Sequence, residues 1–159
     1  MFLRALLAFL VLPGIVGFLL PALLVALDPG QASYSWLGGC LMAVGLVLLL
    51  WCVRDFYVRG RGTLAPWDPP RNLVVVGLYR YVRNPMYVGV LTLVAGWAVR
   101  YASPIVAIYT VVLAIGFHLR VVLNEEPWLR AQFGEDWERY RATVNRWIPH
   151  IGRERRGTS

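Results

Sequence analysis

Apolar and polar positions alternate in long blocks along this chain, with little short-range periodicity. Residues 5–27 carry no charge over 23 positions, where about 20 are enough to cross a bilayer. Pro13 and Pro21 lie inside that run and predict a kinked helix, which neighbouring helices accommodate in lipid. Arg4 ahead of the run gives it a leader-like start, but the apolar stretch is longer than the roughly 7–15 residues of a signal h-region and no small-residue cleavage site follows. It is read as a retained helix. A second apolar block covers residues 36–53, between Asp28-Pro29-Gly30 and Arg54-Asp55. A third and a fourth, residues 84–100 and 103–124, form a hairpin about the Ser103-Pro104 turn, with Arg100 placed to snorkel at the outer end.

The pattern changes after Glu126. Pro127 suits the first position of a new helix. Trp128, Leu129, Phe133, Trp137 and Tyr140 then recur on one side, while Arg130, Glu135, Asp136, Glu138 and Arg139 fall elsewhere. This predicts an amphipathic helix at the membrane interface, bent at Gly134, with Glu135 and Arg139 as a surface i,i+4 pair. The polar end, residues 153–159, is expected to be disordered. The fold class expected is all-α: one membrane domain, residues 1–159, with four transmembrane helices and a C-terminal interfacial helix.

Composition agrees with this. The chain is 58% hydrophobic and 16% charged, with a net charge of +7; soluble domains run at about 45–50% and about 25%. Disorder and a nucleic-acid partner are both disfavoured, and the arginines are better explained by an anionic leaflet. All 16 basic residues are Arg, so lysine chemistry is excluded. Cys40 and Cys52 lie twelve residues apart on one expected helix, about 18 Å, too far for a disulfide. With only His118 and His150 besides, no zinc-ligand spacing is present and no metal is expected. The arginines cluster in residues 54–84 and beyond the fourth span, while the two opposite loops hold none and Arg100 alone. The positive-inside rule then places both termini and the 54–84 loop in the cytoplasm.

Polar residues crowd the cytoplasmic side in two places, residues 77–89 and the group His118, Arg120, Glu125 and Glu126. Ionisable groups at the edge of a helix bundle are functional candidates by default. Paired carboxylates at a helix C-terminus oppose its dipole and need a cationic partner. Pairing with Arg83 or Arg120 would close the bundle; a bound cation would make the same carboxylates a site. Tyr81 is read as an interfacial aromatic, and Gly77 and Gly89 as turn and packing positions. His118 is read as a satisfied polar residue outside the site.

In order and spacing, Gly77, Tyr79, Arg83-Asn84-Pro85-Met86-Tyr87, Gly89, Glu125-Glu126, Leu129, Phe133-Gly134, Tyr140 and Arg146-Trp147-Ile148-Pro149 resemble the isoprenylcysteine carboxyl methyltransferase family and its phospholipid methyltransferase relatives. The resemblance covers about residues 60–150. It implies an integral membrane methyltransferase that uses S-adenosylmethionine, with a cofactor-binding half over those residues. Cofactor contacts would fall on Arg71, Asn72, Leu73, Val74, Tyr79, Asn84, Pro85, Met86, Tyr87, Glu125 and Glu126. Arg83 and Arg120 would orient a substrate anion. Two positions depart from the pattern: the family's His is Asn84, and its substrate-side Arg, four residues before the first Glu, falls on Val121, with Arg120 beside it.

The residue chemistry is compatible with this. A carboxylate such as Glu125 accepts ribose hydroxyls, as acidic residues do in dinucleotide sites. Tyr79 and Tyr87 offer ring faces to a cation. The Leu73-Val74-Val75-Val76 stretch offers an apolar wall for a flat base. Methyl transfer to an acid or thiol rests mainly on alignment. The expected acceptor is lipophilic, an isoprenylcysteine-like acid or thiol, met among membrane lipids; a phospholipid amine is the alternative, and a non-catalytic membrane module retaining the fold is a third.

Overall fold

The computed structural model describes residues 13–28, 35–55, 73 and 75–149. Among these the structure is helical, with one isolated parallel bridge between Val82 and Asn145. The elements are α1 (Ile15–Ala26), α2 (Trp36–Asp55), a 3-10 turn (Gly77–Arg80), α3 (Pro85–Tyr101), α4 (Pro104–Arg120), α5 (Glu126–Phe133) and α6 (Glu135–Thr143). The expected contacts Arg71, Asn72 and Val74, the first part of the 5–27 run and the 153–159 tail lie outside the described residues.

Proline and serine set the helix starts. Pro85 and Pro104 occupy the first turns of α3 and α4, where a missing N–H costs nothing. Between them Ala102 takes a left-handed φ of 48° to end α3. Ser103 then starts α4: its Oγ accepts from the Val106 N–H and donates to Asp28 Oδ2 at 2.7 Å, tying down the end of α1. α1 contains a π turn, Ile15–Leu19, shortly before Pro21, whose missing N–H interrupts the α ladder in any case. Tyr109 of α4 donates to the Val16 carbonyl in that turn at 3.0 Å.

The centre of the bundle is the antiparallel pair α2 and α3, which meet backbone to backbone along a glycine seam. A Cβ added at Gly45 would lie 2.5 Å from the Leu93 nitrogen, and one added at Gly96 would lie 2.7 Å from the Met42 nitrogen. Small residues that allow such approach drive helix association in membranes. Leu49, Val90, Leu93, Val94 and Val106 form the buried core, with Val16, Phe18 and Leu24 of α1 packed on it. The outer face of α4 stays bare: Ile108, Val111, Val112 and Ile115 are each more than half exposed.

Among the described residues, two helices are long and apolar enough to cross a membrane, Trp36–Asp55 and the continuous rod Pro104–Phe133. The rod corrects the expectation of a new helix at Pro127. α4 runs through a second π turn, Val121–Glu125, straight into α5, and Pro127 sits in the first turn after that change of ladder. The break comes at Gly134, where the bend is expected, with φ 50°. Trp137 and Tyr140 beyond it are buried with Val144 against Leu73, Leu129 and Phe133, so their side of the helix faces protein. The surface pairing also differs: Arg139 pairs with Asp136 in place of Glu135, and Glu138 takes Arg130 at 2.9 Å.

Candidate functional site

One end of the bundle gathers side chains from three distant stretches. The start of α3 supplies Arg83, Asn84 and Tyr87; the rod supplies His118, Arg120, Glu125 and Glu126; the segment after α6 supplies Asn145, Arg146 and Trp147. A backbone staple joins the first and last: Arg83 N–H donates to the Asn145 carbonyl at 2.8 Å, and Asn84 Nδ2 donates to the Arg146 carbonyl at 3.2 Å. Asn84 therefore spends one of its two amide N–H groups on this junction.

The two neighbouring carboxylates have different surroundings. Glu126 accepts from Arg83 Nη1 at 2.9 Å and from Arg146 Nε and Nη2, both at 2.8 Å. Its side chain is 14% exposed, and that of Arg83 is 9%. The Arg83 guanidinium also lies over the Trp137 ring, 5.5 Å from its centroid. Burial pushes Arg83 below the usual guanidinium range; Glu126 acts against this, and the charges of Arg146 and Arg141 add to it. Arg83 is thus committed to Glu126, the bundle-closing alternative at that carboxylate.

Glu125 is more open. Its Oε1 accepts the Tyr87 hydroxyl proton in a short bond and Arg120 Nε at 2.8 Å. Arg120 remains half exposed, and the Glu125 side chain is 29% exposed. The Tyr87 ring stacks on Phe117, centroids 4.4 Å apart, and lies 6.5 Å from Trp147. Trp147 in turn donates to His118 Nδ1 at 3.2 Å, so His118 is a satisfied polar residue.

The remaining expected contacts are more deeply placed. Tyr79 is buried against Cys52, Val76, Leu78 and Met86, and its carbonyl accepts the Tyr140 hydroxyl at 2.7 Å. Burial raises both phenols well above their ordinary range. Gly77 turns the chain ahead of Tyr79 with φ 55°, and a side chain there would meet the Asp55 carboxylate. Pro85 is buried and Met86 half-buried between the two apolar clusters. Leu73 lines an open groove of about 670 Å³ with Val75, Phe133, Asp136, Arg139, Tyr140 and Thr143. That volume falls in the range of small-molecule sites, and of the expected contacts Leu73 alone is among its lining residues.

The donor set can therefore be tested against a nucleoside-bearing cofactor. Glu125 fits: one oxygen is held by Tyr87 and Arg120, and the other makes no hydrogen bond to a described residue. Glu126 fits poorly, because arginines take both of its oxygens. Sequence reasoning gave no role to Arg146, Asn145, Trp137 or Trp147. Arg146 and Trp147 lie in the last motif segment; the apolar pattern marks Trp137 but not its contact with Arg83.

The sequence profile described as phospholipid methyltransferase matches residues 33–136. Two curated rice proteins, from Oryza sativa subsp. indica and subsp. japonica, each bear the name "Probable protein-S-isoprenylcysteine O-methyltransferase". Each is 33% identical over 85 residues, 54% of this chain and 44% of the rice protein. The chain thus spans less than half the length of these relatives. No solved structure matches it.

Proposed function

The chain belongs to the phospholipid methyltransferase family, and on that premise we propose that it is a membrane methyltransferase dependent on S-adenosylmethionine, acting on a lipophilic acceptor. The observation that carries the reading is the convergence of Arg83-Asn84, Glu125-Glu126 and Arg146 at one end of the bundle, across as many as 62 residues of sequence. The cofactor contacts that the family resemblance implies fall on the same motif segments. When bound, the cofactor supplies an electrophilic methyl on a sulfonium.

Glu125 holds the ribose through the oxygen that Tyr87 and Arg120 leave open. The Tyr87 ring contributes a face for positive charge, and Asn84, Pro85 and Met86 shape the wall at the start of α3. Arg71, Asn72, Leu73 and Val74 complete the contacts to the cofactor, with Leu73 and Val74 as the apolar part. Arg120, half exposed beside Glu125, orients an anionic acceptor, while Arg83 keeps the frame rigid from its buried place on Glu126. Alignment of nucleophile and methyl supplies most of the rate. The chain forms one domain of four transmembrane helices, with residues 60–150 as the cofactor half and both termini in the cytoplasm.

The acceptor is an isoprenylcysteine-like acid or thiol; the names of the rice relatives favour this. The phospholipid amine reading draws on the family profile. Equilibrium binding of labelled S-adenosylmethionine to the purified chain in nanodiscs tests the first step, and absence of binding overturns the reading. A methyl-transfer panel of prenylated cysteine acids, thiols and aminophospholipids then separates the acceptors.

A further inference from the structure

Arg120 and Glu125 are five residues apart, a spacing that does not bring side chains together on a regular helix. Five residues of α-helix turn by about 500°, which leaves the two about 140° apart around the axis. The residue that shares a face with Glu125 in α-helical register is the one four before it, Val121. The structure reverses this. Val121 is 1% exposed, turned into the bundle, and Arg120 Nε meets Glu125 Oε1 at 2.8 Å. The cause is the π turn Val121–Glu125, in which the Glu126 N–H reaches back five residues to the Val121 carbonyl. A π turn adds one residue to a helical turn and so rotates everything beyond it.

We propose that this π turn is a register device that makes Arg120 the positioning residue of Glu125. With the Tyr87 hydroxyl it occupies Oε1, fixes the carboxylate plane and leaves the second oxygen aimed at the ligand. One extra residue in the turn carries position 120 to the place that position 121 would hold in a regular helix. The proposal rests on the cofactor reading above for the identity of the ligand, but the Arg120–Glu125 coupling can be measured without any ligand.

The test is S-adenosylhomocysteine binding by calorimetry on the full chain in nanodiscs. Arg120→Leu is expected to weaken it about tenfold. Deleting Leu123, which is 65% exposed, shortens the turn to α-helical register and leaves Arg120 four residues before the carboxylate; affinity is expected to stay within about twofold. Moving the guanidinium by Arg120→Val with Val121→Arg, in the parental register, is expected to lose at least as much as Arg120→Leu. The proposal is overturned if Arg120→Leu binds normally, if the moved arginine binds like the parent, or if the folded deletion loses binding. A double-mutant cycle of melting temperatures over Arg120→Leu and Glu125→Gln reads the pair with no ligand present. Non-additive shifts support it and additive shifts overturn it. If the parent binds no S-adenosylhomocysteine, the cofactor reading fails and the cycle alone decides the register.

Discussion

Arg146 grips Glu126 through two parallel bonds, Nε to Oε1 and Nη2 to Oε2, both 2.8 Å long, and Arg83 adds a third from the start of α3. One carboxylate thus holds together segments that no local helix interaction could join. Because the Glu126 side chain is 14% exposed and that of Arg83 is 9%, removing the anion strands a buried cation. Glu126→Gln should cost roughly 3–5 kcal/mol, read by equilibrium unfolding in mixed micelles. A loss under about 1 kcal/mol would place the pair among surface ion pairs.

Glu125 should behave differently. Glu125→Gln keeps its size and removes a charged acceptor, so S-adenosylmethionine and S-adenosylhomocysteine should weaken together, by about ten- to a hundredfold. Parallel binding curves check this, with melting temperature as the control for folding. A variant that binds both normally would leave Glu125 as a structural residue.

The α2–α3 seam makes a steric prediction. Gly96→Ala places a methyl 2.7 Å from the Met42 nitrogen and 2.9 Å from the Gly38 carbonyl, which should destabilise the bundle by about 1–3 kcal/mol. Gly116 has nothing within 4 Å of a built Cβ, so Gly116→Ala should leave stability unchanged or raise it by up to about 1 kcal/mol. Comparing the two in the same unfolding assay separates helix propensity from packing.

Arginine placement predicts orientation. Reporter fusions or cysteine labelling at residue 62 and at the C-terminus should read cytoplasmic, and residues 31 and 102 should read the opposite side. A cytoplasmic signal at residue 31 would remove the four-span arrangement.

The helices were legible from residue type because partition into lipid depends on side-chain chemistry summed over a run, whatever lies next to it. The block at 36–53 became Trp36–Asp55, and the hairpin turn fell at Ser103 as the serine and proline implied. The staple of Asn84 to Arg146, the double grip on Glu126 and the continuation of the rod past Pro127 were not legible. Each depends on the phase of a helix or on a contact between segments 20 to 62 residues apart. Phase shows the difference most plainly. A spacing of five between Arg120 and Glu125 separates them on a regular α-helix drawn from sequence; in the structure a π turn spans Val121–Glu125, Val121 is buried and the two side chains meet. Hydropathy decides which segments enter the membrane, whereas hydrogen-bond register and tertiary packing decide which of their side chains meet.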